Sequence, residues 1–199
     1  MDRTFFELKE ALQKPGCFLC RLEKEYTLRL LDGIFYEFVN DPQVRKTIAQ
    51  KGFCREHARL LFSLRPSVLG MAIVYHDLLA NYLNEHQEPS SCLVCEEWKE
   101  GYTRILRVLL TRWDELKSAW GGETFLCLRH LKDVSLEPLR PELEHLVDER
   151  LQGILKSLEG LIEKFDYRKS GLPISPREAH SWQNVMEFFA GSMFRSGKS

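Results

Sequence analysis

Eight side chains able to bind a metal fall into one pattern that occurs twice. Cys17-Phe18-Leu19-Cys20 is followed by Cys54-Arg55-Glu56-His57, and Cys92-Leu93-Val94-Cys95 is followed by Cys127-Leu128-Arg129-His130. The six cysteines of the chain are all used, and 33 and 31 residues separate each CxxC from its CxxH. The copies are offset by 75 residues at the CxxC and 73 at the CxxH, so the pattern is an internal duplication. Three thiolates and one imidazole form a complete tetrahedral set for zinc, with each pair spaced to grip the ion from adjacent backbone positions. Cys17, Cys20, Cys54, His57, Cys92, Cys95, Cys127 and His130 are therefore the candidate ligands, for two zinc ions per chain. Spacing leaves the pairing open: Cys17 and Cys20 are able to meet Cys54 and His57, or Cys127 and His130 across the repeat. An iron-sulfur cluster or a redox dithiol is the alternative chemistry, although cluster ligation is commonly all cysteine and redox CxxC motifs accompany βαβ patterns, which are absent here. A zinc-dependent hydrolase needs an open position on the metal, and four protein ligands leave none. No catalytic residue is assigned.

The elements that position these residues are helices. Leu22, Tyr26, Leu30, Leu31, Ile34, Phe35 and Phe38 recur at three- and four-residue steps after the first CxxC, as do Trp98, Tyr102, Ile105, Leu106, Leu109, Trp113 and Leu116 after the second. Each CxxC thus opens a long helix, whose free N–H groups favour thiolate over thiol. These helices stop near Asn40-Asp41-Pro42 and Gly121-Gly122. An outgoing helix of about 18 residues covers roughly 27 Å, and a partly extended return brings the CxxH back to its base. Further helices are expected through Val68, Leu69, Ala72, Ile73, His76, Leu79 and Leu83, with His76 in the core, and from Leu143 to Phe165. Ser175-Pro176-Arg177-Glu178 is a capping box opening a last helix that bears Trp182, Val185, Met186 and Phe189, followed by a frayed tail from Arg195. His86, His145 and His180 read as surface residues, Glu56 as a solvated carboxylate, and Arg104, Arg107 and Arg112 as a solvated helix face. No segment alternates as a strand does.

The expected architecture is an all-α single domain of seven or eight helices. It is a helical bundle of two pseudo-repeated hairpins, each clamped by a Cys3His metal site, with repeats at about 14–86 and 89–165 and a C-terminal helix at 175–195. In 199 residues, the 12 Phe, 6 Tyr and 4 Trp suffice for a core without disulfides. A net charge of −1 gives no general attraction to phosphate polymers or anionic lipid, so neither nucleic acid nor membrane is expected as a partner. The most apolar stretch, Val68 to Tyr75, is far short of the roughly 20 residues of a membrane span. The mixed charges of the N-terminus do not form an export signal, so a reducing cytoplasm is expected. The function these features point to is zinc binding in a non-enzymatic interaction or adaptor protein.

Several segments carry a resemblance. Tyr36-Glu37-Phe38-Val39-Asn40-Asp41-Pro42-Gln43-Val44-Arg45 with Gly52-Phe53-Cys54-Arg55-Glu56-His57, and Lys164-Phe165-Asp166-Tyr167-Arg168 with Ser181-Trp182, together with both CxxC motifs and Cys-Leu-Arg-His, make the chain resemble the DUF6062 family of prokaryotic proteins. The resemblance implies a duplicated CxxC/CxxH protein and no assigned activity. Asn40-Asp41-Pro42 is read as helix-stop chemistry, and Asp166 with Arg168 as an ion pair of a terminal turn; the alternative is that Asn40, Asp41, Arg45 and Asp166 to Arg168 pair across the interior or line a cleft.

Overall fold

A computed structural model describes residues 2–64, 66–86, 88–166 and 172–192. Among these residues there are ten α-helices and one pair of two-residue strands, the all-α class that the periodicities predict. No helix among the described residues is long and apolar enough to cross a membrane. Two compact units are present, one formed by Met1–Leu22 with Arg104–Ser199 and the other by Glu23–Thr103.

The discontinuous unit begins with α1 (Arg3–Leu12), N-capped by Asp2, whose carboxylate accepts the Thr4 N–H. Strand β1 (Gly16–Cys17) pairs in parallel with β2 (Thr124–Phe125), with Gly16 opposite Thr124 and Cys17 opposite Phe125. Gly16 N–H donates to Glu123 O at 3.0 Å and Thr124 Oγ1 to Lys14 O at 2.5 Å, so the junction is tied on both sides. The unit also contains the first turn of α2 (Phe18–Asp32), the end of α6 (Leu93–Thr111), and the short helices α7 (Trp113–Leu116) and α8 (Leu128–Leu131). The long α9 (Arg140–Lys164) and α10 (Pro176–Ala190) complete it. Phe18, Leu19, Leu109, Leu116, Phe125, Leu126, Leu143 and Val147 fill its core. Arg112 lies 3.6 Å over the Phe5 ring and pairs with Glu115. It is therefore a packing residue, unlike the exposed Arg104 and Arg107, because the helix breaks at Arg112 and turns the side chain inward.

The continuous unit carries the rest of α2, which widens into a π-turn at Gly33–Glu37. It continues with α3 (Pro42–Lys51), α4 (Arg55–Leu64), α5 (Val68–Glu85) and the first turns of α6. Asp41 does more than stop a helix: its carboxylate accepts the Gln43 and Val44 N–H groups and caps α3, with Pro42 at the first helical position. Arg45 on α3 holds Asp77 on α5 through two bonds of 2.6 and 2.8 Å. Leu31, Ile34, Phe35, Ile48, Leu61, Val74 and Val94 form its core. On α2 and α6, Tyr26 and Trp98 stack with centroids 5.5 Å apart, beside Gly101, where an added Cβ would meet the Tyr26 ring at 3.1 Å.

Three expectations are corrected. Of the α5 stripe, Ile73 packs against the core as expected, but Val68, Leu69, Ala72, His76, Leu79 and Leu83 are exposed, and Gly70, Val74 and Leu78 turn inward. Since α5 is apolar on nearly every side, periodicity alone does not choose the inner face. His76 is thus a surface residue, its side chain 77% exposed beside Asp77. On α10, Trp182, Met186 and Phe189 are exposed, whereas Ser181, Glu187 and Phe188 are buried: Ser181 Oγ donates to Glu178 O, and Glu187 accepts the Cys17 N–H. The capping box is formed as expected, with Ser175 Oγ accepting the Glu178 N–H and Glu178 accepting the Ser175 N–H. Tyr167, Arg168 and the tail from Arg195 lie outside the described residues.

Candidate metal centres

The eight predicted ligands gather into two groups of four, Cys17/Cys20/Cys127/His130 and Cys54/His57/Cys92/Cys95. The pairing that the sequence leaves open is the crossed one: each CxxC meets the CxxH of the other repeat. The expected return to the same helix base does not occur, because the return path is itself helical. Ten residues coiled into α3 advance only about 15 Å, half the roughly 30 Å that α2 and its π-turn cover. Cys54 accordingly groups with the second CxxC, Cys92 and Cys95.

Local backbone closes both groups in the same way. Next to the first group, the β1–β2 bridge sets Cys17 beside Phe125, two residues before Cys127. Next to the second, Ser90 N–H donates to Gln50 O at 3.0 Å and Leu93 N–H to Gly52 O at 3.1 Å, setting Cys92 beside the residues that precede Cys54. Gly52 makes this approach possible with φ of +70°, where a Cβ would lie 2.8 Å from Pro89 Cβ. In each half-site one cysteine stands at the entry to a helix and its partner three residues later lies in the first turn, as with Cys54 and His57 at α4, Cys92 and Cys95 at α6, and Cys127 and His130 at α8. These ends carry free N–H groups and a positive dipole that stabilise thiolate.

The donor atoms are spaced as vertices of a small tetrahedron. For Zn–S bonds of 2.3 Å and Zn–N bonds near 2.0 Å, tetrahedral geometry sets sulfur to sulfur at about 3.8 Å and sulfur to nitrogen at about 3.5 Å. In the first group His130 Nδ1 lies 3.4 Å from Cys17 Sγ, 3.5 Å from Cys20 Sγ and 3.3 Å from Cys127 Sγ, and Cys20 and Cys127 are 3.6 Å apart. In the second, His57 Nδ1 lies 3.2 Å from Cys54 Sγ, 3.4 Å from Cys92 Sγ and 3.5 Å from Cys95 Sγ, with Cys54 and Cys95 3.8 Å apart. Both histidines present Nδ1. Either group could hold one metal ion.

Their surroundings differ. Cys17, Cys20, Cys127 and His130 are all buried, whereas Cys54 and His57 are half-buried and Cys95 is exposed. Hydrogen bonds from Cys17 and Cys20 hold the Cys127 thiol down at about 3, helped by the His130 backbone and the Arg129 guanidinium, while burial pushes Cys17 well up. In the second group burial raises Cys95 to about 12, reinforced by Cys92 and Cys54. Cys54 is drawn below the ordinary thiol range: burial acts against this, but the His57 backbone and the neighbouring sulfurs prevail. Burial also lowers His57, favouring the neutral imidazole that a metal requires.

Glu187 was not recognisable as part of the first centre from spacing. It is 5% exposed, and its Oε1 accepts the Cys17 N–H at 3.0 Å, a second-layer bond that fixes the ligand backbone. The available signal was an acid inside the apolar run Val185 to Phe189 of an otherwise amphipathic helix. Glu56 is exposed and pairs with Arg59, and His86, His145 and His180 are on the surface, all as expected.

A family model described as "Family of unknown function (DUF6062)" matches residues 4–90. The chain is 30% identical over 201 residues to the "Uncharacterized 23.9 kDa protein in xynA 3'region" of Caldicellulosiruptor sp. (strain Rt8B.4), an alignment that covers 92% of this chain and 98% of that protein. No solved structure matches. With the duplicated motif folded into two crossed four-ligand groups and a full-length relative, the chain belongs to the DUF6062 family.

Proposed function

We propose that each Cys3His group holds one zinc ion as a closed structural site, and that the chain is a non-enzymatic interaction protein scaffolded by the two ions. The observation that carries this reading is the spacing of the donors. All four ligand atoms of each group lie within 4.8 Å of one another, which suits a single tetrahedral ion better than a cluster that spreads its ligands over several irons. Three thiolates and a neutral imidazole are a preferred zinc set, and all four positions are filled by protein, so no site remains for a reactive water. The free state of the six cysteines suits a reducing, cytoplasmic compartment. The near-neutral charge favours a protein partner over nucleic acid.

Elemental analysis and an absorption spectrum of protein purified without added metal or chelator test the reading. Two zinc ions and no visible band are expected; iron with sulfide and visible absorption would replace it with the iron-sulfur alternative. Cobalt substitution is expected to give a tetrahedral thiolate spectrum. A five-coordinate spectrum would return the hydrolase alternative.

A further inference from the structure

Up to its last residue, the exposed Glu85, the α5 helix carries no charged residue on its solvent face. Between Val68 and Asn84 the sequence contains one ionised side chain, Asp77, and that carboxylate is turned inward to Arg45. What remains outside is Val68 at 86% exposure, Leu69 at 71%, Leu79 and Leu83 at 59%, Tyr75 at 40% and Tyr82 at 45%, with Ala72 and His76 between them. A helix apolar on every side is ordinarily buried on every side. Together these residues expose on the order of 700 Å², close to the roughly 800 Å² that each partner contributes to a standard interface.

The pattern specifies what covers it. Val68, Ala72, Tyr75, Leu79 and Tyr82 are separated by alternating steps of four and three, which is the seam of a two-helix coiled coil. Leu69, His76 and Leu83 form a flanking row at seven-residue steps. From Ala72 to Tyr82 the steps of three, four and three also read the same in both directions. Reversing the helix about the level of Asp77 lays Ala72 against Tyr82, a small residue facing a large one, and Tyr75 against Leu79, and the flanking row reverses onto itself about His76. A face that is uncharged and matches its own reverse meets the requirement of a two-fold contact, in which the same patch serves both partners.

We infer that the partner is a second copy of this chain, docked by antiparallel pairing of α5 with its symmetry mate. The inference extends the interaction role proposed above but stands on α5 alone, so zinc content and association are read separately. Sedimentation of the full metal-loaded chain is expected to show a dimer. Leu79→Glu places a charge in the seam and is expected to raise the dissociation constant at least ~100-fold, with far-UV circular dichroism and metal content unchanged. Ala72→Glu and Tyr82→Lys are each expected to be monomeric alone and to reassociate when mixed, since the antiparallel register opposes those two positions. A wild-type monomer at every concentration overturns the proposal, as does a Leu79→Glu chain that sediments like wild type or a monomer that instead binds lipid vesicles. Failure of the mixed pair to associate overturns the antiparallel register.

Discussion

Crossed ligation makes Cys54→Ser a sharp perturbation. Cys54 Sγ stands 3.2 Å from His57 Nδ1 and 3.8 Å from Cys95 Sγ, and all four ligands of its group belong to Glu23–Thr103. A structural zinc contributes about 10–16 kcal/mol of apparent binding energy at neutral pH, comparable to or larger than the 5–15 kcal/mol by which a whole domain is stable. Removing one thiolate of three should therefore release one ion and unfold the segment it stabilised. Zinc content is expected to fall from two ions to one per chain. Hydrogen exchange followed by mass spectrometry should show lost protection across Glu23–Thr103, with peptides containing Cys17–Leu22 and Leu128–Leu131 keeping theirs. Cys127→Ser should give the opposite map. If Cys54→Ser instead exposed the peptide containing Cys17 and Cys20, the ligands would be paired within each repeat and the reasoning would fail.

A chromogenic chelator should remove zinc in two phases, the first from the group containing exposed Cys95, and Cys95→Ser should abolish the fast phase; a single phase refutes the inequality. Glu187→Ala leaves the buried Cys17 N–H unpaired and is expected to cost about 1–3 kcal/mol in denaturant unfolding, with Glu187→Gln losing less because its amide oxygen still accepts. Gly52→Ala, with φ of +70° and a Cβ 2.8 Å from Pro89, is expected to destabilise by about 2 kcal/mol or more, whereas Gly122→Ala, with nothing within 4 Å, should be near neutral. Glu178 is lowered from 4.5 to about 2, first by the Lys164 ammonium and then by the Ser175 N–H and hydroxyl. A lowered folded value means that its stabilising contribution is complete above 4.5 and is lost as pH falls toward 2. Carbon-13 titration of the Glu178 carboxyl should show a midpoint near 2, and one near 4.5 would refute the assignment.

The gathering of the eight Cys and His residues into two groups of four was legible because residue type and spacing recur together, and duplication repeats the pattern. The helices were legible for the same reason of period, and the Ser175 capping box down to its hydrogen bonds. Pairing was not legible, since both assignments use the same four motifs and the difference lies in the path between them. Counting residues 38–53 as partly extended sends the chain home; coiling them into α3, which Asp41 and Pro42 announce, does not. Faces were misjudged where a helix is apolar all round, as in α5, or where a buried acid serves a neighbouring backbone group, as with Glu187 on α10. Arg45 and Asp77 are 32 residues apart, and no local pattern links them.

The crossed grouping also nests one set of four residues inside the other along the chain, which bears on the order in which they can assemble. Cys54 and Cys95 lie 41 residues apart, inside the 113-residue interval from Cys17 to His130. The shorter loop is less costly to close by about 1 kcal/mol, and during synthesis its last ligand emerges 35 residues before His130 completes the outer set. The inner centre is thus the first that a growing chain is able to fill. If both groups bind metal, Cys17 and Cys20 would wait without their partners until His130 emerges, and a nascent chain short of metal would then be most open to oxidation or to borrowing ligands from the wrong motif.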